Sequence, residues 1–428
     1  MSVRSVVRST VAPYLTPSGR QAAWNLGWMM AGTVVGQACG MIATLVFANS
    51  LGRERWGVVA TGLSVQGYML IVSGVGARPV LVREIALRPD HCAEAATAYL
   101  VTTAAASLSV SILAALGVLL IPMGSGERSL LLILAIGNVL ASLTFTPLFD
   151  AFHRQARVGV ITAGVEISFL AMLSWLVRSG DMTVQAAGIY FACKWGVQSV
   201  LLAIDFCRSV QSFSPALDSD LLSRFWRAVV PVTVSSLAGT VPITGGVLLV
   251  RAMLGAESAG VMGLATLVLQ AFLMFGAVAN RIMQPHINGR FGLSRSFIRK
   301  LSMFYCGYFL MLLVLALVGT AIVVHWLLSE DYSGVGLLVA LLMPGALALS
   351  ASRIVAMYLL ALHREVETQT VFVSVAVIHV VVAAGLIRVA SVQGAAWAFV
   401  LSSVLGLVWL GRSLQRSIRL DVANTLRD

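Results

Sequence analysis

The sequence predicts an all-α integral membrane protein of about twelve transmembrane helices, built as two six-helix repeats of the same orientation. Three observations carry this. Of 428 residues, 58% are hydrophobic and only 11% charged, with a mean hydropathy of +0.91. A soluble domain is nearer a quarter charged, so most of this surface is built to face lipid. Second, apolar runs long enough to cross a bilayer follow one another with short connections, and none alternates apolar and polar as a barrel strand does. Third, Val46–Arg78 recurs as Leu249–Arg281. At a constant offset of 203, Leu51, Gly52, Glu54, Gly57, Val58, Val65, Leu70, Val75 and Arg78 meet Leu254, Gly255, Glu257, Gly260, Val261, Val268, Leu273, Val278 and Arg281. A repeat of this length has to be settled first, because it sets the whole architecture.

In chain order, a tail over 1–21 carries Arg4, Arg8, Arg20, Pro13 and Pro17. It lacks the compact apolar core and small-residue cleavage site of a removed signal peptide. The expected spans are 22–48, 56–80, 95–121, 129–150, 157–178, 183–206, 225–252, 259–284, 300–328, 334–361, 366–388 and 393–411. The longest polar gap, 208–224, separates an expected first lobe (22–207) from a second (225–411), and 412–428 forms a tail. The echo extends beyond the opening hairpin. Phe149–Arg154 meets Leu359–Arg364 at offset 210, and Val184–Ala187 meets Val392–Ala395 at offset 208. An even number of spans per repeat keeps both halves in one orientation, related by an axis along the membrane normal.

The net charge of +11 reads as topology, not as nucleic-acid binding, because the arginines stand singly or in pairs between apolar segments. With both termini inside, 21 Arg and Lys fall on the cytoplasmic side and six on the other. Short-loop charge bias of this size orients the chain with N and C termini in the cytoplasm. The five cysteines have no CxxC spacing and suggest neither a metal site nor a disulfide framework. No phosphate-cradling loop is present: the two lysines, Lys194 and Lys300, are followed by Trp195 and Leu301. No cofactor is expected, and any drive comes from a coupling cation (H+ or Na+), from the substrate gradient or from a partner.

The motifs resemble the polysaccharide transporter family, which includes the O-antigen and exopolysaccharide lipid-oligosaccharide flippases. LGRERWG follows span one, VLVREIA (Val80–Ala86) follows span two, and PLFDAFHRQARVGVI (Pro147–Ile161) crosses spans four and five. LALHREVETQ (Leu360–Gln369) and VQGAAWAFVLS (Val392–Ser402) agree with the family's second half, so the resemblance covers essentially the whole chain. One departure is Ile387-Arg388, where such proteins often carry a proline. The family belongs to the multidrug/oligosaccharidyl-lipid/polysaccharide exporter superfamily. The resemblance implies two lobes in a V around a central cavity, alternating access, and a bacterial inner-membrane location. It implies transport of an undecaprenyl-diphosphate-linked oligosaccharide from inner to outer leaflet, beside membrane lipid and with polymerase or glycosyltransferase partners. A cation-coupled multidrug exporter of the same superfamily is the alternative. A polysaccharide polymerase or ligase fits poorly, because the outer loops are only a few residues long and hold no paired carboxylates beyond Glu330-Asp331.

Charges inside spans cost roughly 2.5–3.5 kcal/mol each on insertion scales and therefore mark function or pairing. Glu166 in span five and Lys194 in span six sit at similar depth and are expected to face each other. They form either a cavity pair for an anionic headgroup or coupling ion, or a buried lock between two helices. Arg353, in span ten, matches a lipid diphosphate by its forked donors, or else snorkels to the inner interface. Arg78 and Arg281, repeat-equivalent at the inner ends of spans two and eight, are candidate headgroup contacts at the cytoplasmic mouth, or positive-inside anchors. Pro231, Pro242 and Pro344 interrupt spans seven and ten as candidate hinges or static kinks. Gln37, Asn138 and Thr144 are weaker polar candidates, and His325 and His379 are titratable groups within spans nine and eleven.

Overall fold

The computed structural model describes residues 17–87, 91–142, 145–151, 154–209, 218–287, 328–361 and 364–425, with isolated positions between 303 and 322. All its regular elements over these residues are helical. They are α1 (Pro17–Leu70), a π segment (Ile71–Val75), α2 (Ala77–Leu87), α3 (Cys92–Leu120), α4 (Ser125–Ser142) and α5 (Thr146–Ala151). Then come α6 (Gln155–Ser179), α7 (Val184–Ser209), α8 (Ser219–Leu254), α9 (Ala256–Ile287), a 3-10 turn (Glu330–Tyr332), α10 (Val335–Ala361) and α11 (Glu365–Thr425). In hydrocarbon no water completes a backbone bond, so a spanning chain closes its hydrogen bonds within each segment. Hydroxyls follow the same rule: Thr44, Ser64 and Thr103 donate to the carbonyls of Gly40, Ala60 and Tyr99 one turn earlier, at 2.8–2.9 Å.

Nine helices over the described residues are long and apolar enough to cross a membrane. The expected number was about twelve, and part of the difference has a physical cause. Spans one and two run on within α1 as two helices that meet at Gly52 (φ 74°, ψ 171°) with no longer loop between them. Spans eleven and twelve are likewise merged in α11 across Ala390 and Ser391, the latter at φ 52°. Each of these two runs, at 48 and 52 residues, is more than twice the roughly 20 that one crossing needs. Expected span nine, 300–328, lies mostly outside the described residues. At the α11 bend a Cβ on Gly394 would stand 2.1 Å from the Leu386 carbonyl oxygen. The turn there is tight enough to require a missing side chain.

The described chain divides into two compact units, 1–44 with 69–233 and 45–68 with 234–428, so α1 and α8 contribute to both. In the first unit, a core joins Leu81 of α2, Tyr99 of α3, Leu148 and Phe149 of α5, Phe206 of α7 and Phe225 of α8. Phe206 is its centre, with Phe145 and Phe149 rings at 5.5 and 5.7 Å. In the second unit, Ala356 and Leu359 of α10 pack on Val371, Val375 and Leu410 of α11. Outward positions such as Leu113, Leu120, Trp175 and Val381 are exposed and apolar, the surface that a lipid solvent requires.

Repeat-equivalent residues make the same local structures. Gly52 and Gly255 both take a left-handed backbone, at φ 74° and 91°, where a side chain would be strained. Arg154 N–H donates to the Phe149 carbonyl at 2.8 Å, and Arg364 N–H donates to that of Leu359 at 2.9 Å, as the 210-residue echo requires. Within the second unit, the two echoing hairpins pack on each other near a local two-fold axis. A Cβ on Gly57 would meet the Ala256 oxygen at 1.8 Å, and one on Gly260 would meet the Arg53 oxygen at 2.4 Å. Positions 53 and 256 are themselves repeat-equivalent, and Gly263 faces Ala60 across the same crossing. Small residues let two backbones approach closely, the usual route to helix association in lipid. The symmetry breaks in the charges, since Arg53 pairs with Glu257 at 3.3 Å while its counterpart is Ala256.

This crossing makes Gly57→Ala strongly destabilising, by roughly 1–3 kcal/mol from overpacking, whereas Gly67→Ala, where a Cβ meets nothing within 4 Å, should be neutral or better. Thermal unfolding of the detergent-purified variants checks this, and equal melting temperatures for the two would contradict the close packing.

Candidate functional site

The site is built on α6 and α7, an antiparallel pair bridged at regular steps. Arg157 donates to Asp205 at 2.8 Å, Gln198 donates to Thr162 at 2.9 Å, and Lys194 meets Glu166. Phe169 closes the series against Tyr190, edge to face at 5.5 Å. The partner falls by about one residue for each residue gained, as two antiparallel helices in fixed register require. Gly36 of α1 packs on this face, with a Cβ there lying 3.4 Å from Thr162 and 3.6 Å from the Glu166 side chain. Glycine-on-glycine contact between Gly32 and Gly159 brings the two backbones together one turn away.

Glu166 and Lys194 are therefore joined, as their depth implied. The ammonium lies 3.0 and 3.2 Å from the two carboxylate oxygens, and 5.5 Å from the centre of the Phe191 ring. The residues are 8% and 6% exposed, and Glu166 stands eleven residues into α6, roughly 17 Å from its start at 1.5 Å per residue. A pair this deep is neutral as a whole, and an anion reaching Nζ must first displace or neutralise the carboxylate.

The other candidates are dispersed. Arg353 sits in α10, half-buried, without an ion-pair partner among the described residues. Arg78 is in α2 and pairs with Asp150 of α5. Arg281 is within α9, but its side chain lies outside the described residues, as do Thr144 and His325. The helix continues through Pro231 and Pro242 in α8 and through Pro344 in α10. Asn138 of α4 is wholly buried and donates to Ser73 of the π segment and Ser111 of α3, each at 3.0 Å, with Ser107 at 3.4 Å. His379 is also wholly buried: Nδ1 is 3.0 Å from the Ser402 hydroxyl, and Nε2 has no hydrogen-bond partner among the described residues. No group of three or more His, Cys, Asp or Glu suited to a metal occurs among the described residues.

The sequence model of the family described as "Polysaccharide biosynthesis protein" matches residues 22–285. Three solved structures place the fold. The chain is similar to the eukaryotic MATE transporter AtDTX14, with 15% identity, 94% of this chain and 97% of that chain covered, and a TM-score of 0.69. It is similar to the lipid II flippase MurJ in an inward closed conformation, at 12% identity, 90% and 87% coverage and a TM-score of 0.66. It is similar to an inward-facing multidrug resistance MATE family transporter of the MOP superfamily, at 11% identity, 91% and 99% coverage and 0.65. At these identities the likeness is one of fold. No curated protein matches the chain.

Removing one partner of the buried pair strands the other charge. Lys194→Met should cost about 3–5 kcal/mol and lower the melting temperature sharply, while Lys194→Met with Glu166→Leu recovers most of the loss. If the single and double variants melt alike, the two charges are not coupled.

Proposed function

This chain belongs to the polysaccharide biosynthesis protein family, and on that premise we propose that it moves an undecaprenyl-diphosphate-linked oligosaccharide from the inner to the outer leaflet of a bacterial inner membrane. The family match over residues 22–285 is the observation that carries this reading, and the shared fold with a lipid II flippase supports it. The chain lies N-in and C-in, following its arginine distribution. Its two six-helix repeats work by alternating access, driven by H+ or Na+ or by the substrate's own gradient. Assembly enzymes of the polysaccharide consume the product on the far leaflet.

The headgroup is a diphosphate, and the chain offers cations inside its spans to receive it. Arg353 carries a forked cation with no carboxylate partner among the described residues, the state in which a guanidinium binds phosphate through two parallel bonds. Lys194 is released when its carboxylate is neutralised, which gives the pair a cycle: closed on Glu166 when empty, open to phosphate when loaded. Arg281 serves at the inner mouth. Arg78 positions the α2–α5 contact through Asp150 and meets the headgroup only if that pair opens. This reading differs from a drug exporter in the charge of its cargo, since the Arg353 guanidinium, with no carboxylate partner among the described residues, disfavours a cationic compound.

A strain lacking the gene, with no paralogue, should lose its surface polysaccharide and accumulate the lipid-linked precursor on the inner leaflet. Arg353→Gln should restore export roughly tenfold less well than wild type at equal membrane level, the cost of about one bidentate charged contact. Normal surface polysaccharide in the deletion strain, together with new sensitivity to cationic drugs, would assign the chain to drug export instead.

A further inference from the structure

The Thr162–Gln198 and Glu166–Lys194 bridges between α6 and α7 occupy one side of the helix pair. The other side is open. A groove of about 380 Å³ runs between the two helices, with Val165 and Phe169 as its floor and Val197, Leu201 and Ile204 as one wall. Floor residues are buried and wall residues exposed. The opposite wall is low because α6 presents Gly164 and Ser168 there; a Cβ on Gly164 would meet nothing within 4 Å, and the Ser168 hydroxyl is turned back onto the Gly164 carbonyl at 2.8 Å. From Ile161 to Phe169 the groove extends roughly 12 Å along the helix axis, at 1.5 Å per residue. Ile167 beside it and Val200 behind it are exposed as well, so the groove opens on the surface that faces hydrocarbon.

One end is charged. Asp205 and Arg208 line it, where α7 finishes and the chain leaves the apolar region. Arg157 is already neutralised by Asp205 at 2.8 Å. Arg208 is exposed and has no ion-pair partner among the described residues, so the three side chains carry one net positive charge. An apolar slot ending in a guanidinium with no ion-pair partner among the described residues matches one kind of molecule. It takes an alkyl chain and, at the interface, an anionic phosphate.

We propose that this groove binds one acyl chain of an anionic glycerophospholipid, with its phosphate on Arg208. The lipid acts as a fixed part of the protein's outer surface. It lies against the side of α6 and α7 opposite the Glu166–Lys194 contact and supports the register that holds those two charges together. The site is separate from any path of transported cargo, because it faces lipid and its floor residues, Val165 and Phe169, stand between it and the charged pair.

Native mass spectrometry of the full-length protein in detergent, offered equimolar phosphatidylglycerol, phosphatidylethanolamine and phosphatidylcholine, tests this. Wild type should retain phosphatidylglycerol about fivefold over phosphatidylcholine, the preference expected from one basic side chain at a lipid phosphate. Arg208→Gln should bring that ratio to about one. Gly164→Leu, which fills the groove with a better helix former, should remove the retained lipid while leaving the fold intact; Leu201→Trp makes the same test from the other wall. The proposal is overturned if phosphatidylglycerol preference survives Arg208→Gln, or if wild type retains the three lipids equally. It is also overturned if lipid retention is unchanged by both groove-filling variants.

Discussion

A backbone that crosses hydrocarbon has no water to complete its hydrogen bonds, and the rest of this structure follows from that constraint. The described chain answers with helices throughout, and it changes direction at single residues whose conformation tolerates the turn. Gly52 and Gly255 reverse the chain with a left-handed backbone; Ser391 does so at a position that Gly394 leaves open. Serine and threonine hydroxyls close on carbonyls one turn back. Charged groups submit to the same rule: Glu166 and Lys194 lie deep in the span and are joined, both carboxylate oxygens on one ammonium.

Association in lipid cannot rely on the hydrophobic effect between helices, and the packing reflects this. Close approach is bought with missing side chains, at Gly57 on Gly260 and at Gly32 on Gly159. Register is held by polar steps instead. Along α6 and α7 the Arg157–Asp205, Thr162–Gln198 and Glu166–Lys194 contacts alternate with apolar positions, so the two helices cannot slide without breaking all three. A lysine–glutamate pair embedded in such a ladder is costly to break by removing one partner.

Much of the architecture was legible in the sequence because repeats leave marks on special residues. The echo at offset 203 rested on glycines, and the same glycines carry positive φ in one case and interhelical contact in the other. Phe149–Arg154 and Leu359–Arg364 echo in sequence and close the same backbone hydrogen bond. The Glu166–Lys194 contact was readable because both charges sat mid-span on consecutive antiparallel helices, where depth alone brings them level. Other contacts left no such mark. Arg78 pairs with Asp150, 72 residues away on a short helix that periodicity does not separate from span four. The Asn138 cluster depends on a π segment that shifts Ser73 onto a new face, and a one-residue change of helical phase is invisible to a 3.6-residue pattern. Spans one and two meet directly because Gly52 alone makes the turn between them, which a pattern of apolar residues does not show.

The central claim is that the cargo is a lipid-linked anionic oligosaccharide and that the buried lysine–glutamate pair takes part in moving it. Proteoliposomes containing the purified chain and a fluorescent undecaprenyl-diphosphate oligosaccharide, with accessibility of the sugar to an external modifying enzyme as readout, test both parts at once. The account predicts protein-dependent translocation that is lost in the stable Lys194→Met, Glu166→Leu double variant. Translocation at the wild-type rate in that variant would reduce the pair to a helix lock, and no translocation by the wild-type protein under any imposed H+ or Na+ gradient would contradict the assignment itself.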